Sequence, residues 1–225
     1  MIRVLLVDDE AETRAILRDY LLSDARLEIV GEAADGQVAL QQTIALRPDV
    51  ILMDMQMPVM DGVSSTREIH RAFPDIAVLG LSTFSTDRYV IDLLRAGASG
   101  YLVKDAPPDE LIDAVRRVAA GDSVLSPEVT RHVVRGLGAS VPAEITPDSE
   151  LAGVLSEKEL EAVRLLAEGM SNREIAEALC ITESAVKGRL VKVMEKLGVR
   201  DRVQILVTAI SRGLVDVKRG PRLMS

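Results

Sequence analysis

Residues 50–54, with the sequence VILMD, form a short apolar run that ends in an aspartate. Residues 2–9, IRVLLVDD, repeat this pattern and end in two aspartates. Three further apolar runs lie at residues 27–33, 76–81 and 101–103. Short strands that are apolar at nearly every position are typical of parallel sheets covered on both faces. The five runs therefore predict the strands of one parallel sheet.

The segments between these runs have the apolar spacing of helices. Helices are expected at 12–22, 37–46, 63–72, 88–96 and 109–120. Gly97 and Gly121 follow the last two, and glycine is common just beyond the end of a helix. Strands that alternate with helices in this way predict a doubly wound, flavodoxin-like α/β domain over residues 1–121.

The chain changes character after residue 121. Residues 122–150 are expected to form a linker that includes a short helix at 126–136. The string GLGASVPAEITPDSE within it is small, polar and interrupted by two prolines. Residues 151–215 are expected to form a second, smaller all-α domain, followed by a tail at 216–225.

Four short helices are predicted in the second domain, at 156–168, 172–179, 183–197 and 201–212. Ser156 and Glu159 fit a capping box at the start of the first helix. The second and third helices are joined by residues 180–182 and have the proportions of a helix-turn-helix.

Composition narrows the classes of function. Aromatic residues make up only 2% of the chain, which argues against a stacking platform for single-stranded nucleic acid. The single cysteine, Cys180, excludes an intrachain disulfide and a zinc site built from cysteines. No apolar stretch has the roughly 18 residues of a membrane-spanning helix, so a cytoplasmic protein without membrane contact is expected.

Charge is distributed unevenly along the chain. Residues 1–121 carry a net charge of −8, residues 122–150 carry −3, and residues 151–225 carry +3. This asymmetry indicates two domains with different partners. A basic segment can bind phosphate backbones or form an ordinary solvated surface, and charge alone does not decide between these interpretations.

Polar side chains follow the ends of the predicted strands. Asp8 and Asp9 follow the first strand, Asp54 ends the third, Ser82 follows the fourth and Lys104 follows the fifth. In a parallel sheet these ends share one edge, where doubly wound folds bind ligands. Three carboxylates there would repel one another without a cation, and their hard oxygens suit Mg²⁺. The pattern indicates phosphoryl transfer to a carboxylate, with Asp54 as nucleophile.

Each of these residues also has a plain structural interpretation. Asp9 can cap the following helix, and Asp54 can cap a loop. Asp61 and Gly62 form a common turn pair, and Lys104 can be a solvated surface residue. Their joint placement at the strand ends favours the functional interpretation.

Four separated strings carry a resemblance to a known family. They are VLLVDDE at 4–10, ILMDMQMPVMDG at 51–62, LSTF at 81–84 and AGASGYLVKD at 96–105. In this order they closely resemble a response-regulator receiver domain, over residues 1–121. One difference from many receivers is that an aspartate, Asp105, follows the lysine of the last string where proline is common.

The resemblance implies a role for each residue of the acidic cluster. Asp54 would accept phosphate from a sensor histidine kinase. Asp9, Asp54 and the backbone carbonyl of Gln56 would bind Mg²⁺ directly, and Asp8 would reach it through water. The remaining roles are a switch hydroxyl, a switch aromatic residue and a lysine that pairs with phosphate, which fall on Ser82, Tyr101 and Lys104.

The predicted helix 183–197 displays basic residues on several sides, namely Lys187, Arg189, Lys192 and Lys196. Its apolar residues are expected to share the packed side, namely Ala185, Leu190, Met194 and Leu197. A recognition helix presents side chains to DNA in this way, although a solvated amphipathic helix gives the same pattern.

Residues 155–207 resemble the LuxR-type DNA-binding domain of NarL/FixJ regulators. The resemblance implies double-stranded DNA as a partner, with contacts from Asn172, Ser184, Lys187, Arg189 and Lys192. Residues 185–189 read AVKGR where TVKTH is common in the family. The glycine costs on the order of 1 kcal/mol of helix stability relative to alanine, and the arginine adds a permanent charge.

These observations predict a bacterial transcription regulator that is controlled by phosphorylation and is not an enzyme beyond its own phosphoryl transfer and dephosphorylation. A homodimer and RNA polymerase are expected as partners. The last predicted helix carries Val203, Leu206, Val207 and Ile210 at helical spacing. It either contributes to the dimer, as the resemblance implies, or packs in the core.

Two other classes of function stay open. A metal-dependent phosphatase or phosphotransferase could use the same acidic pocket, but it would need a second acid–base residue near Asp54. An aspartate two residues later would support it, and Gln56 stands there. A phosphate-relay protein would not bind DNA, and the helix-turn-helix argues against that interpretation.

Overall fold

The computed structural model describes residues 1–82, 87–122, 124–125 and 153–215, with the backbone alone for Asp87 and Arg88. The chain forms two compact units, Met1–Leu125 and Ser126–Ser225. The helix expected at 126–136, the tail at 216–225 and most of the linker expected at 122–150 lie outside the described residues. None of the described helices is long and apolar enough to cross a membrane.

The first unit is built on a parallel sheet with the strand order β2-β1-β3-β4-β5. Its strands are β1 (Ile2–Val7), β2 (Leu27–Ala33), β3 (Val50–Asp54), β4 (Ala77–Ser82) and β5 (Gly100–Val103). Every residue of the central strand β3 is buried, as its apolar sequence requires. The predicted doubly wound five-stranded sheet is confirmed.

Helices follow the strands in regular alternation. They are α1 (Ala11–Leu22), α2 (Gly36–Leu46), α3 (Gly62–Ala72), α4 (Asp87–Ala96) and α5 (Pro108–Ala119). Asp61 caps α3, because its side chain accepts a hydrogen bond from the backbone N–H of Ser64. The Asp61-Gly62 pair is therefore the start of a helix and not a separate turn.

One core of this unit is formed by aliphatic side chains of the strands together with α1 and α5. Its fully buried members include Val4, Leu6, Leu21, Val50, Leu52, Leu79, Val115 and Val118. Val124 packs against this core, and its segment pairs with Gly100 at the edge of β5. The first unit therefore continues beyond residue 121.

The strand boundaries at the site differ slightly from the sequence expectation. β4 begins at Ala77, which pairs with Val50, and it extends to Ser82, which pairs with Val103. β3 ends at Asp54 as expected, and Asp54 pairs with Leu81. Two of the polar residues expected just at the strand ends are thus held by the sheet itself.

The described part of the second unit is helical, with α6 (Glu157–Ala167), α7 (Asn172–Ala178), α8 (Glu183–Leu197) and α9 (Arg202–Ser211). The capping box of Ser156 and Glu159 is confirmed. A second box, formed by Ser171 and Glu174, starts α7 and was not predicted. Because each helix has its own start signal, the short turns between them are well defined.

Candidate functional site

The strand order brings three aspartates to one edge of the sheet. β1 and β3 are neighbours, and their register pairs Val7 with Met53. Asp8 and Asp54 are buried at this edge, whereas Asp9 is exposed. One carboxylate oxygen of each aspartate lies within 4.8 Å of the others. The expected acidic cluster is therefore present.

Lys104 enters this cluster from the end of β5. Its Nζ lies 2.7 Å from Asp8 Oδ2 and 2.9 Å from Asp54 Oδ1. Its backbone N–H donates to the carbonyl of Ser82 at 2.9 Å, which fixes where the side chain leaves the sheet edge. The side chain of Lys104 is only 15% exposed, so this lysine is not a solvated surface residue.

Burial sets the electrostatics of the pocket. Removal from water raises the pKa of Asp54, and the hydrogen bond and charge of Lys104 oppose this effect without cancelling it. The pKa of Lys104 is also raised, because the hydrogen bonds and charges of Asp8 and Asp54 outweigh the cost of its burial. The lysine therefore stays protonated and holds the two buried carboxylates together.

The structure decides against a helix-capping role for Asp9. The N-cap of α1 is Glu10, and no side chain makes the capping hydrogen bond there. Glu10 instead donates its backbone N–H to Asp8 Oδ1 at 3.0 Å. The exposed carboxylate of Asp9 is thus directed by neither a cap nor an ion pair among the described contacts.

The loop after Asp54 is shaped by Gly62. A Cβ atom on Gly62 would contact the backbone carbonyl oxygen of Asp54, so a larger residue would push the loop away from the pocket. The N–H of Gly62 donates to the carbonyl of Met55 at 3.2 Å, which closes the loop. Gln56 lies within this closed loop and is exposed.

Ser82 and Tyr101 lie on the adjacent strands β4 and β5 and are joined by a side-chain hydrogen bond. Tyr101 is buried, and this burial raises the pKa of its hydroxyl, while the hydrogen bond acts in the opposite direction. A serine at the pocket is therefore linked to an aromatic side chain on the next strand.

The pocket fits a hard divalent cation. Its anionic ligand atoms are carboxylate oxygens, which Mg²⁺ prefers, and the exposed side chain of Asp9 leaves room for the waters that Mg²⁺ retains. Asp8, Asp9 and Asp54 are the residues that could hold it.

One contact to the pocket has no signal in the sequence. Arg14, in α1, donates from Nη1 to the backbone carbonyl of Asp8 at 2.6 Å. No residue pattern predicts a bond between an arginine and a backbone carbonyl six positions earlier. Arg14 is the residue near the pocket that sequence reasoning missed.

In the second unit, α8 turns one stripe inward and leaves a broad face exposed. The buried residues are Val186, Leu190 and Val193. Ala185 was expected on the packed side, and this was wrong, because Ala185 is exposed. The buried stripe keeps the expected Leu190 but begins at Val186 and includes Val193.

The exposed face of α8 contains most of the expected DNA contacts. Ser184, Lys187 and Lys192 are exposed on it, and a Cβ added at Gly188 would meet no atom within 4 Å. Val191 is also 39% exposed there. The exposed face therefore carries two lysines, Lys187 and Lys192, and two small residues, Ser184 and Gly188.

The other two expected contacts lie closer to the protein. Arg189 is partly buried, and its Nη1 donates to the carbonyl of Lys158 in the first turn of α6 at 3.1 Å. Asn172 begins α7, and its Oδ1 has no hydrogen-bond partner among the described residues although the atom is buried. Lys187 and Arg189 thus point to different sides of α8.

The apolar residues of α9 are committed to packing. Val203, Leu206, Val207 and Ile210 are all at most 9% exposed. α9 lies against α6 and α8. These four side chains therefore pack in the core of the unit, which was one of the two interpretations left open for them.

Each of the two units matches a known protein family. Residues 4–116 match the family model described as "Response regulator receiver domain". Residues 153–209 match the model described as "Bacterial regulatory proteins, luxR family".

Relatives match nearly the whole length of the chain. The transcriptional regulatory protein DegU of Brevibacillus brevis is 35% identical, with 96% of each chain covered. The response regulator protein VraR of Staphylococcus aureus (strain Mu3) is 37% identical over 96% of this chain and 99% of its own. Among solved structures, the response regulator ChrA of a heme-sensing two-component system is 37% identical. It covers 95% of this chain and 98% of its own, with a TM-score of 0.51.

Proposed function

Because the chain belongs to the response regulators that join a receiver domain to a LuxR-type DNA-binding domain, we propose that phosphorylation of Asp54 controls its binding to DNA. As a transcriptional response regulator of a two-component system, it has a sensor kinase and DNA as partners.

The contact of Lys104 with both Asp8 and Asp54 is the observation that carries this proposal. A buried lysine at 2.7 Å and 2.9 Å from two carboxylates is arranged to hold an anion that replaces one of these pairings. A phosphoryl group on Asp54 is such an anion. A purely structural ion pair would not need the third carboxylate, Asp9, beside it.

In the proposed reaction, a carboxylate oxygen of Asp54 attacks the phosphorus of a phosphohistidine on the sensor kinase. The new O–P bond forms as the N–P bond breaks, and the imidazole leaves with the electron pair and takes up a proton. Lys104 then pairs with the phosphoryl oxygens. Mg²⁺, held by Asp8, Asp9, Asp54 and the backbone carbonyl of Gln56, would neutralise charge on the transferring group.

Ser82 and Tyr101 couple this reaction to the surface of the receiver domain. The hydroxyl of Ser82 can donate to a phosphoryl oxygen and so give up its bond with Tyr101. Without this hydrogen bond, the side chain of Tyr101 can move between two positions. Such a local change can bias an equilibrium between masked and dimerisation-competent states.

The exposed face of α8 is the proposed DNA-reading surface. Lys187 is assigned to bases, and Lys192 and Ser184 lie on the same exposed side of the helix. Arg189 is assigned to the phosphate backbone, for which it would exchange its bond to Lys158. Asn172 has an unsatisfied oxygen at the start of the helix-turn-helix, where its amide group can turn toward a phosphate.

The wider assignments follow from this function. We propose a receiver domain that extends past the expected 1–121 to Leu125, a linker at 126–150, a DNA-binding domain at 151–215 and a tail at 216–225. Binding to DNA as a homodimer and contact with RNA polymerase belong to the same proposal, as does a cytoplasmic site of action, where the DNA is. The only chemistry that the chain performs is its own phosphorylation and dephosphorylation.

A phosphodonor experiment tests the assignment of Asp54. The full-length chain is incubated with Mg²⁺ and acetyl phosphate, and phosphate incorporation is followed on a phosphate-affinity gel. Asp54→Asn should incorporate no phosphate. Asp49→Asn is the matched control, since Asp49 precedes β3 at the opposite end of the same strand. Equal incorporation in wild type and Asp54→Asn would refute the assignment.

A further inference from the structure

We propose that Arg14 is a positioning residue for the magnesium site, because it holds the peptide that joins Asp8 to Asp9. This inference rests on the proposed function of the acidic pocket. Arg14 lies in α1 and is bonded to Glu32 of β2, so residues outside the aspartate cluster and Lys104 would help to orient the metal ligands.

The guanidinium of Arg14 makes two bonds at once. Nη1 donates to the backbone carbonyl of Asp8 at 2.6 Å, and Nε donates to Glu32 Oε2 at 3.2 Å. The side chain is only 16% exposed, so water competes weakly for these bonds. A rigid guanidinium can serve two acceptors in fixed directions, which a single ammonium group cannot do.

The hydrogen bond from Arg14 holds the backbone carbonyl of Asp8, whereas the other described contacts of Asp8 involve its N–H and its carboxylate. The backbone N–H of Asp8 donates to Ala33 at 3.1 Å, Oδ1 accepts from Glu10, and Oδ2 pairs with Lys104. The carbonyl of Asp8 belongs to the planar peptide that begins Asp9. By holding this oxygen, Arg14 sets the direction in which the Asp9 backbone continues.

Asp9 is the residue that needs this support. It is exposed, and no described hydrogen bond or ion pair orients its side chain. Its carboxylate therefore depends on its backbone for its place beside Asp8 and Asp54. Groups that orient metal ligands typically change metal affinity by about 10- to 100-fold when they are removed.

Glu32, on β2, holds Arg14 in place from the other side. Its two carboxylate oxygens are shared between arginines one helical turn apart on α1: Oε2 accepts from Arg14 and Oε1 from Arg18. Arg18 makes the same kind of ion pair with Glu32 but has no described contact with the acidic loop. Arg18 is therefore a matched control that separates positioning from simple ion pairing.

The test measures Mg²⁺ affinity of the full-length chain by isothermal titration calorimetry in the absence of any phosphodonor. Arg14→Ala should weaken Mg²⁺ binding by about tenfold, whereas Arg18→Ala should leave it within about twofold of wild type. Arg14→Lys keeps the charge but cannot make both bonds, so it should also weaken binding. Thermal unfolding without Mg²⁺ confirms that each variant is folded.

Three outcomes separate the possible failures. If Arg14→Ala and Arg14→Lys bind Mg²⁺ like wild type, Arg14 does not position the site. If Arg18→Ala weakens Mg²⁺ binding as much as Arg14→Ala, the ion pairs with Glu32 matter and the carbonyl bond does not. Asp9→Asn is included because unchanged affinity in that variant would instead refute the proposed metal site itself.

Discussion

The acidic pocket and the exposed face of α8 are the two proposed functional surfaces, and they are built in opposite ways. In the pocket, Lys104 and the buried carboxylates of Asp8 and Asp54 contact one another before any ligand arrives. On α8, Lys187 is exposed, and the position beside it, Gly188, has no side chain at all. The charged groups of the acidic pocket are therefore already in contact in the folded chain. The basic side chain on α8 is solvated and would make its contacts only with DNA.

This difference has a physical cause. Phosphoryl transfer requires charged groups held at fixed distances, and burial makes their interactions strong enough to hold them. DNA recognition requires side chains that exchange water for bases and phosphates, so they stay solvated in the free protein. Substitutions in the pocket should therefore affect folding as well as function, whereas replacement of an exposed side chain on α8 should mainly affect binding.

The sharpest test of this comparison is the same substitution in both places. Lys104→Met leaves two buried carboxylates without their cation, which should lower the free energy of unfolding by roughly 3 kcal/mol. Mg²⁺ should restore part of this loss, since it supplies the missing positive charge. Urea unfolding with and without Mg²⁺ measures both effects.

Lys187→Met is the matched control for that experiment. Lys187 is exposed, so its replacement should change the unfolding free energy by less than about 0.5 kcal/mol. Similar losses in the two variants would show that the pocket is no more preassembled than the helix face.

Two of the basic residues of α8, Lys187 and Arg189, should differ in how they bind DNA. Lys187→Ala should cost roughly 1–3 kcal/mol on a specific site and relax the sequence preference. Arg189→Ala should weaken specific and scrambled sites alike and reduce the salt dependence by about one released counterion. Fluorescence anisotropy at several salt concentrations distinguishes them, and the opposite pattern would reverse the assignment.

Gly188 offers a change that strengthens the exposed helix. Gly188→Ala should raise the free energy of unfolding of the second unit by up to about 1 kcal/mol, because alanine restricts the unfolded chain and its Cβ meets open space. Thermal unfolding of the full-length chain measures this. A lower midpoint would mean that the position is not free.

Glu159 should make the second unit sensitive to acid. Its hydrogen bonds with Lys196 and with the backbone of Ser156 lower its pKa from 4.5 to about 2. A lowered pKa stabilises the folded state above pH 4.5, and this contribution is lost as the pH falls toward 2.

Glu159→Gln isolates that contribution. Glutamine keeps the capping geometry but removes the charge, which should cost about 0.5 kcal/mol at neutral pH, given the exposure of Lys196. The difference from wild type should vanish near pH 2. A constant difference in urea unfolding between pH 7 and pH 2 would exclude the charge as its source.

The acidic pocket and α8 also differ in how much of each could be predicted from the sequence. Asp8, Asp9, Asp54 and Lys104 could be placed together because the ends of parallel strands must meet at one edge of the sheet. The order of the strands and helices along the chain is sufficient for this prediction. It cannot give the bond from Arg14 to the Asp8 carbonyl, which depends on the exact path of the loop.

On α8, the packed side was expected at the wrong residues near the start of the helix. Val186, Leu190 and Val193 have the i, i+4, i+7 spacing of one helix face, whereas Ala185 lies five residues before Leu190 and so about 140° around the helix from it. Packing against α6 and α7 selects Val186 and leaves Ala185 in solvent. On α9, helical spacing alone could not decide the role of Val203 and Ile210, because it fits a dimer surface and a core equally well. Their burial shows that they pack in the core.

Control of DNA binding by phosphorylation of Asp54 is tested most directly by measuring the affinity for DNA. A DNA site is first selected from random sequence with the full-length chain, and its Kd is then measured with and without acetyl phosphate and Mg²⁺. We expect the phosphodonor to lower the Kd of wild type by about tenfold and to leave that of Asp54→Asn unchanged. An equal response in both proteins, or no response in wild type, would contradict control of DNA binding by phosphorylation of Asp54.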